Sequence, residues 1–167
     1  MHRVTFARHR LSAIVDNGAS ADGGIDMQDF TEGTTQQTVV TVRPKEKLAT
    51  VQHLPYFIGL SAATAGTRGL AMHLVVVPPG GRGEPHVHVG YETGIYILEG
   101  RIETRYGAGL AESVINEPGD FVFIPPGVPH QPVNLSATEP ARAVIARNDA
   151  NEADRVVPYD PAEARVA

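Results

Sequence analysis

The sequence predicts an all-β chain built as a sandwich or small barrel, and two observations carry that reading. Short β-type runs recur at regular spacing with turn signals between them. The composition sets 17 glycines and 13 prolines beside 42% hydrophobic residues, a balance that suits turn-rich β structure better than helices. At 167 residues there is room for one ordinary domain with a real core, and nothing in the pattern asks for a second.

Residues 1–36 read as a loop-rich amino-terminal arm, because from Asp16 onward Gly, Asp, Ser and Thr dominate with few large apolar groups. The barrel is expected over residues 37–150. Gln37-Thr38-Val39-Val40-Thr41-Val42 is β-branched and reads as its first strand, followed by a Lys/Pro turn at Arg43 to Lys47. Further strands are expected at Tyr56 to Leu60, Leu70 to Val77, Gly94 to Leu98, Arg101 to Tyr106, Glu112 to Asn116, Asp120 to Ile124, Val128 to Leu135 and Ala141 to Arg147. Glu99-Gly100 marks a hairpin and Glu117-Pro118-Gly119-Asp120 a tight turn. Residues 151–167 form a polar tail. Asp160-Pro161-Ala162-Glu163 supplies an N-cap with proline at the first helical position, which fits either a short terminal helix or a frayed end.

Charge and composition narrow the function classes. A formal charge of -5 with no basic stripe gives a phosphate backbone little to hold, so nucleic acid is not expected as a partner. Without cysteine, any metal must be bound through nitrogen and oxygen. No apolar run approaches the roughly 20 residues that cross a bilayer, and the apolar segment after the basic amino terminus breaks at Asp16-Asn17-Gly18. A cytoplasmic location without membrane partners is therefore the expectation.

The chemistry concentrates in two stretches. The first runs from Gly80 through Glu84-Pro85-His86-Val87-His88-Val89-Gly90-Tyr91-Glu92, and the second from Gly119 through Pro125-Pro126-Gly127-Val128-Pro129-His130 to Asn134. His86 and His88 stand two apart, so on an extended strand both imidazoles leave one face, as two ligands of a single ion require. His130 comes from another strand.

Read together, Gly80, His86-x-His88, Glu92 and Gly100, followed by Gly119, Pro125-x-Gly127, His130 and Asn134, resemble the two-part signature of the cupin superfamily. The resemblance covers Gly80 to Asn134. It implies a double-stranded β-helix, or small jelly-roll barrel, holding a metal by His86, His88 and a glutamate from the first half and His130 from the second. It also implies a homodimer, for which apolar strand surface such as Val39, Val40 and Val42 could pair edges.

The carboxylate depends on register. A three-residue gap after His88 selects Glu92, whereas a four-residue gap selects Thr93. Period-two alternation groups Thr93, Ile95 and Ile97 on one face and Glu92, Gly94, Tyr96 and Leu98 on the other. If the branched residues line the barrel, Glu92 reaches the interior only through a bulge or turn near Gly90 to Thr93. Glu92 is retained as the fourth ligand on that condition.

Three imidazoles and a carboxylate suit Fe, Mn, Ni, Zn or Cu as a divalent transition metal, with coordination positions left open for water, dioxygen or substrate. Each imidazole binds only when neutral. With an ordinary value near ~6.5, metal loss is expected below about pH 6. His73 alternates with Ala71, Val75 and Val77 and reads as a barrel-lining histidine with either a structural or a substrate-facing role. His53 reads as a loop residue, and Tyr91 and Tyr96 as packing residues with wet hydroxyls. Pro78-Pro79-Gly80-Gly81-Arg82-Gly83 lacks the Lys-Ser/Thr of a phosphate loop.

The function these features favour is that of a metalloenzyme acting on a small organic substrate, by dioxygenase-type chemistry or by isomerase, decarboxylase or lyase chemistry, with no base or nucleophile evident outside the ligand set. A non-catalytic binding or sensor barrel, and a barrel merely braced by its metal, are the competing readings.

Overall fold

Alternating residues on antiparallel strands send large apolar side chains to one face and leave the other to solvent, and two such sheets close over a shared interior. The computed structural model describes residues 38–44, 48–49, 53–151 and 155–163 of the chain. In chain order the elements are β1 (Leu48–Ala49), β2 (Pro55–Leu60), α1 (Ala62–Ala65), β3 (Ala71–Val77), β4 (His86–His88), β5 (Thr93–Glu99), β6 (Ile102–Tyr106), a 3-10 turn (Ala108–Leu110), β7 (Glu112–Asn116), β8 (Phe121–Ile124), β9 (His130–Asn134), β10 (Ala141–Arg147) and β11 (Val156–Pro158). One sheet has the order β1-β2-β3-β10-β5-β8 and the other β11-β4-β9-β6-β7, with every pairing antiparallel. This is the double-stranded β-helix that the sequence resemblance implies.

The core lies between the sheets. β3 and β10 both bury alternate residues, Ala71, His73, Val75 and Val77 on one and Ala141, Ala143, Ile145 and Arg147 on the other. With Leu54, Tyr56, Ile97 and Ile102, the apolar members form one packed cluster. β5 buries Thr93 and Ile97 and exposes Gly94, Tyr96 and Leu98, the phase expected from its branched residues.

Three parts of the chain differ from the sequence expectation. Thr38 to Val42 forms no strand, and Val39 is 98% exposed; β-branched residues favour extended backbone but supply no neighbour to pair with. The expected arm, 1–36, and Gln37 lie outside the described residues. α1 appears where no helix was expected, started by the Ser61 hydroxyl accepting from Thr64 N at 3.2 Å and stopped by Gly66 at φ 66. Part of the segment expected as a tail is strand: β11 pairs with β4, placing Val156 opposite His88 and Pro158 opposite His86. The Asp160 cap is present, its Oδ1 accepting from Ala162 N at 2.8 Å, while residues 164–167 lie outside the described residues.

Two buried polar side chains hold irregular backbone. Gly59 sits where the β2–β3 register shifts between Ile58 and Leu60, and its N–H donates to His73 Nδ1 at 3.2 Å. His73 thus serves the fold. Asn134, 3% exposed, donates from Nδ2 to the carbonyls of Val77, Pro78 and Glu139 at 3.0, 3.0 and 2.8 Å and accepts from Ser136 N at 3.0 Å. It ties the end of β3 to the loop after β9. Because Asn134→Ala strands several of these groups, we expect it to cost about 2–4 kcal/mol in urea unfolding, several times the loss from Thr138→Ala on the exposed loop.

Candidate metal centre

β4 and β9 assemble the three histidines. His86 and His88 leave the same face of β4, and His130 stands directly opposite His86 across the strand pair. All three are buried, with ring centroids 5.0 Å apart for His86 and His88, 4.2 Å for His86 and His130, and 4.6 Å for His88 and His130. One ring nitrogen from each lies within 4.8 Å of the others.

Hydrogen bonds fix which nitrogen of each ring is left to donate to a cation. His86 Nδ1 lies 2.8 Å from the Glu84 carbonyl and His130 Nδ1 lies 3.0 Å from the Val128 carbonyl. A carbonyl only accepts, so both Nδ1 atoms carry the proton and both Nε2 atoms keep a lone pair. His88 Nδ1 is 2.8 Å from the Thr93 hydroxyl, and its Nε2 is buried with no hydrogen-bond partner among the described residues. A buried imidazole nitrogen left that way is the donor a cation would satisfy. Metal-bound histidines commonly anchor their second nitrogen to an oxygen in this manner.

Turns before and after the strands keep the rings in place. Gly127 at φ 78 closes the Pro125-Pro126 turn and donates its N–H to the His88 carbonyl at 2.8 Å. Gly83 N donates to the Pro132 carbonyl at 2.9 Å, Gln131 Nε2 to the Gly83 carbonyl at 2.8 Å, and Asn134 N to the Gly81 carbonyl at 2.9 Å. The two histidine-bearing stretches are thereby laced to each other along their length.

Glu92 is not brought to this cluster, which corrects its assignment as fourth ligand. Gly90, at φ 80, turns the chain so that Tyr91 and Thr93 point inward, at 1% and 0% exposure, and Glu92 between them faces out. Its Oε2 accepts from Asn148 Nδ2 at 3.1 Å, and its N–H donates to Asn148 Oδ1 at 2.8 Å. The longer register was the right one, and it sets a threonine beside the imidazoles.

One site residue escaped sequence reasoning. Arg147, 5% exposed, ends the inward row of β10 and pairs in register with Thr93 on β5. Its guanidinium carbon lies 5.7 Å from the centroid of the Tyr91 ring, which stacks on His88 at 5.0 Å and 23°. The signal for Arg147 was there: it alternates in phase with Ala141, Ala143 and Ile145, an unusual place for a charge. Tyr91 is wholly buried, not wet at its hydroxyl as expected. Tyr96 packs on Phe121 at the outer face, centroids 4.7 Å apart, and His53 is an exposed loop residue 3.6 Å from Glu84.

The cluster looks into a cavity with about 50 Å³ of space for water-sized molecules. One water needs roughly 10–15 Å³ on such a measure, so a molecule of a few heavy atoms fits. Apolar side chains make most of its wall. Tyr56, Thr93, Thr104, Arg147 and the three histidines are the polar exceptions, and no acidic side chain of the described residues lines it.

Burial sets the charge state. It pushes His86 down to about 3 and His88 to about 2, with the neighbouring His130 adding to both shifts, and it lowers His130 as well. The three rings are therefore neutral lone-pair donors throughout the physiological range.

The family model described as "Cupin domain" matches residues 73–146. Germin-like protein subfamily T member 3 of Arabidopsis thaliana is 31% identical over 139 residues, 80% of this chain and 58% of that protein. The chain thus spans a little over half the length of this curated relative. Among solved structures, the polyketide cyclase RemF from Streptomyces resistomycificus is similar with a TM-score of 0.59 at 21% identity, covering 74% of this chain and 87% of that one. A Cupin 2 conserved barrel domain protein from Salinispora arenicola CNS-205 reaches a TM-score of 0.56 at 25% identity, covering 71% of this chain and 96% of its own. Fold and site together define a double-stranded β-helix with a buried three-histidine cluster on its inner wall. The chain belongs to the cupin superfamily.

The neutral rings make metal-free stability depend on pH. An unfolded chain protonates each imidazole as pH falls through about 6.5, whereas the folded chain holds His86 and His88 neutral down to about 3 and 2. Below pH 6.5 the unfolded state binds more protons, so stability drops as pH falls. At about 1.4 kcal/mol per unit per ring, the pair costs on the order of 4 kcal/mol between pH 6.5 and 5. Thermal melts of chelator-treated protein should show a lower Tm at pH 5 than at pH 6.5, and the double variant His86→Gln, His88→Gln should lose most of that dependence.

Proposed function

We propose that His86, His88 and His130 bind one divalent transition metal through Nε2 and that the barrel is a metalloenzyme for a small organic molecule. The observation that carries this is the tethering of each Nδ1 to an oxygen, which leaves Nε2 to donate, in three rings that bring one nitrogen each within 4.8 Å of the others. Three nitrogens at about 2.1 Å from one ion in a tetrahedral or facial set stand about 3.0–3.4 Å apart, so a pair as far apart as 4.8 Å draws in by about 1.4–1.8 Å when the ion binds. The nitrogen-only donor set fits Fe, Mn, Ni, Zn or Cu. Such an ion supplies Lewis-acid polarisation or, if redox-active, dioxygen activation at the positions that three ligands leave open.

The chain's own residues do the rest. Glu84, Thr93 and Val128 orient the imidazoles through their oxygens. The apolar wall, from Val75 and Val77 to Ile95 and Ile145, excludes water and strengthens every electrostatic contact inside. No described lining residue is a carboxylate or cysteine, so general-base or nucleophilic work has no ready side chain there. This favours chemistry centred on the bound ion over side-chain catalysis. The expectation of metal loss near pH 6 assumed ordinary imidazoles; with these rings, proton competition sets in only at lower pH.

Elemental analysis of protein expressed in rich medium should find close to one transition-metal ion per chain, and the His86→Ala, His88→Ala pair should contain less than a tenth of it. Unchanged metal content in the pair would remove the site. A Co(II)-substituted sample whose spectrum shows no exchangeable water would instead favour a purely bracing metal.

A homodimer is proposed as well. Support comes from edge strand β8, where Phe121 is 86% and Phe123 60% exposed beside Tyr96 and Leu98. Val39, Val40 and Val42 no longer serve as its edge, since they form no strand. Light scattering should give twice the chain mass, and a monomer at micromolar concentration would retire the idea. No helix among the described residues is long and apolar enough to cross a membrane.

A further inference from the structure

Among the described residues, the inner wall carries one permanent cation that the metal reading leaves without a task. Arg147 is the last inward residue of β10, 5% exposed, and it lines the same cavity as His86, His88 and His130. Its position is set from two sides. In register it faces Thr93, whose hydroxyl holds His88, and its guanidinium lies over Tyr91, whose ring stacks on that same histidine. Arg147 and the histidine cluster are therefore parts of one assembly.

Charge accounting then constrains the ligand. Three neutral imidazoles leave the full charge on any divalent ion they hold, and Arg147 adds another positive charge in a cavity otherwise lined by apolar groups, Tyr56 and two threonines. Glu92, the acid that would have offset part of that charge, points outward. Arg147 makes contacts besides the Tyr91 ring, but a guanidinium has five donors in a planar fork and can keep one partner while receiving another. A carboxylate matches that fork, and in a low-dielectric cavity the pairing is stronger than in water.

We propose that the cavity selects small organic carboxylates, with Arg147 as the residue that binds the carboxylate group while the remainder of the molecule faces the three imidazoles. The inference deepens the metal-site reading and rests on it. The cavity volume of about 50 Å³ restricts the class to acids of a few heavy atoms.

The test uses the full chain loaded with Co(II), with glycolate and its neutral counterpart glycolamide as probes and the visible spectrum of the ion and the thermal shift as readouts. Glycolate should bind at least tenfold more tightly than glycolamide. Arg147→Gln should erase that preference with Co(II) content unchanged, and Arg147→Lys should restore part of it. Equal binding of the two probes by the unaltered protein overturns the proposal, and that comparison needs no variant to fold. An undiminished glycolate preference in a folded Arg147→Gln variant overturns it too. Failure of the unaltered protein to take up Co(II) sinks the metal reading itself, an outcome separate from intact Co(II) binding without carboxylate selection.

Discussion

His86 stands opposite His130 in the β4–β9 pair, and the rest of the site follows from that register. Because side chains alternate with a period of two, a one-residue slip would turn an imidazole out of the barrel and dissolve the cluster. β4 is only three residues long, too short to fix its own alignment by pairing alone. The alignment is held from outside by the Gly127, Gly83, Gln131 and Asn134 hydrogen bonds, and by β11 on the other edge. Tyr159 adds to this, its N–H donating to the Pro85 carbonyl at 3.0 Å and its hydroxyl accepting from Gly109 N at 2.8 Å. Glycines and prolines that look like mere turn punctuation in sequence are thus the frame of the chemistry.

Inside the barrel, polarity changes along the strands. On the β5–β10 pair the inward rungs are Ile97 with Ala143, Ile95 with Ile145, and then Thr93 with Arg147. The first two belong to the packed apolar cluster or lie against it, and the third joins the histidines. Stability and function are therefore separated along one strand pair. Burying three imidazoles at one end is costly without a ligand for their lone pairs, and the apolar end offsets that cost. The division explains why His73, on the same inner face, is free to serve Gly59 in place of the site.

Legibility in the sequence tracked the range of the interaction. Strands such as Glu112–Asn116 and Ala141–Arg147 were readable to the residue because alternation and flanking turns are local. The three histidines were readable because a spacing of two and a glycine-proline frame are local as well. Thr38 to Val42 misled, since strand formation needs a partner that propensity cannot supply. β11 was missed for the converse reason: three residues become strand only because β4 offers an edge. The position of Glu92 turned on the conformation at Gly90, which a permissive residue leaves undetermined. Arg147 was legible in phase yet silent in role, because its neighbours Thr93 and Tyr91 come from far along the chain.

The exchange of an acid for Thr93 beside the imidazoles has consequences for chemistry that the fold does not share. A carboxylate ligand lowers the net charge of a centre and weakens its pull on a substrate; three neutral imidazoles leave that pull undiminished. Arg147 increases the positive potential of the same cavity, and the apolar wall prevents water from screening it. The chain is similar in sequence to a germin-like protein and in fold to a polyketide cyclase, so architecture leaves the reaction open. In the proposed reading it is the charge around the cluster that selects the substrate: a molecule bearing a negative charge gains from Arg147 and from the ion that the imidazoles would hold, whereas a neutral one must give up water for a largely apolar cavity with little in return.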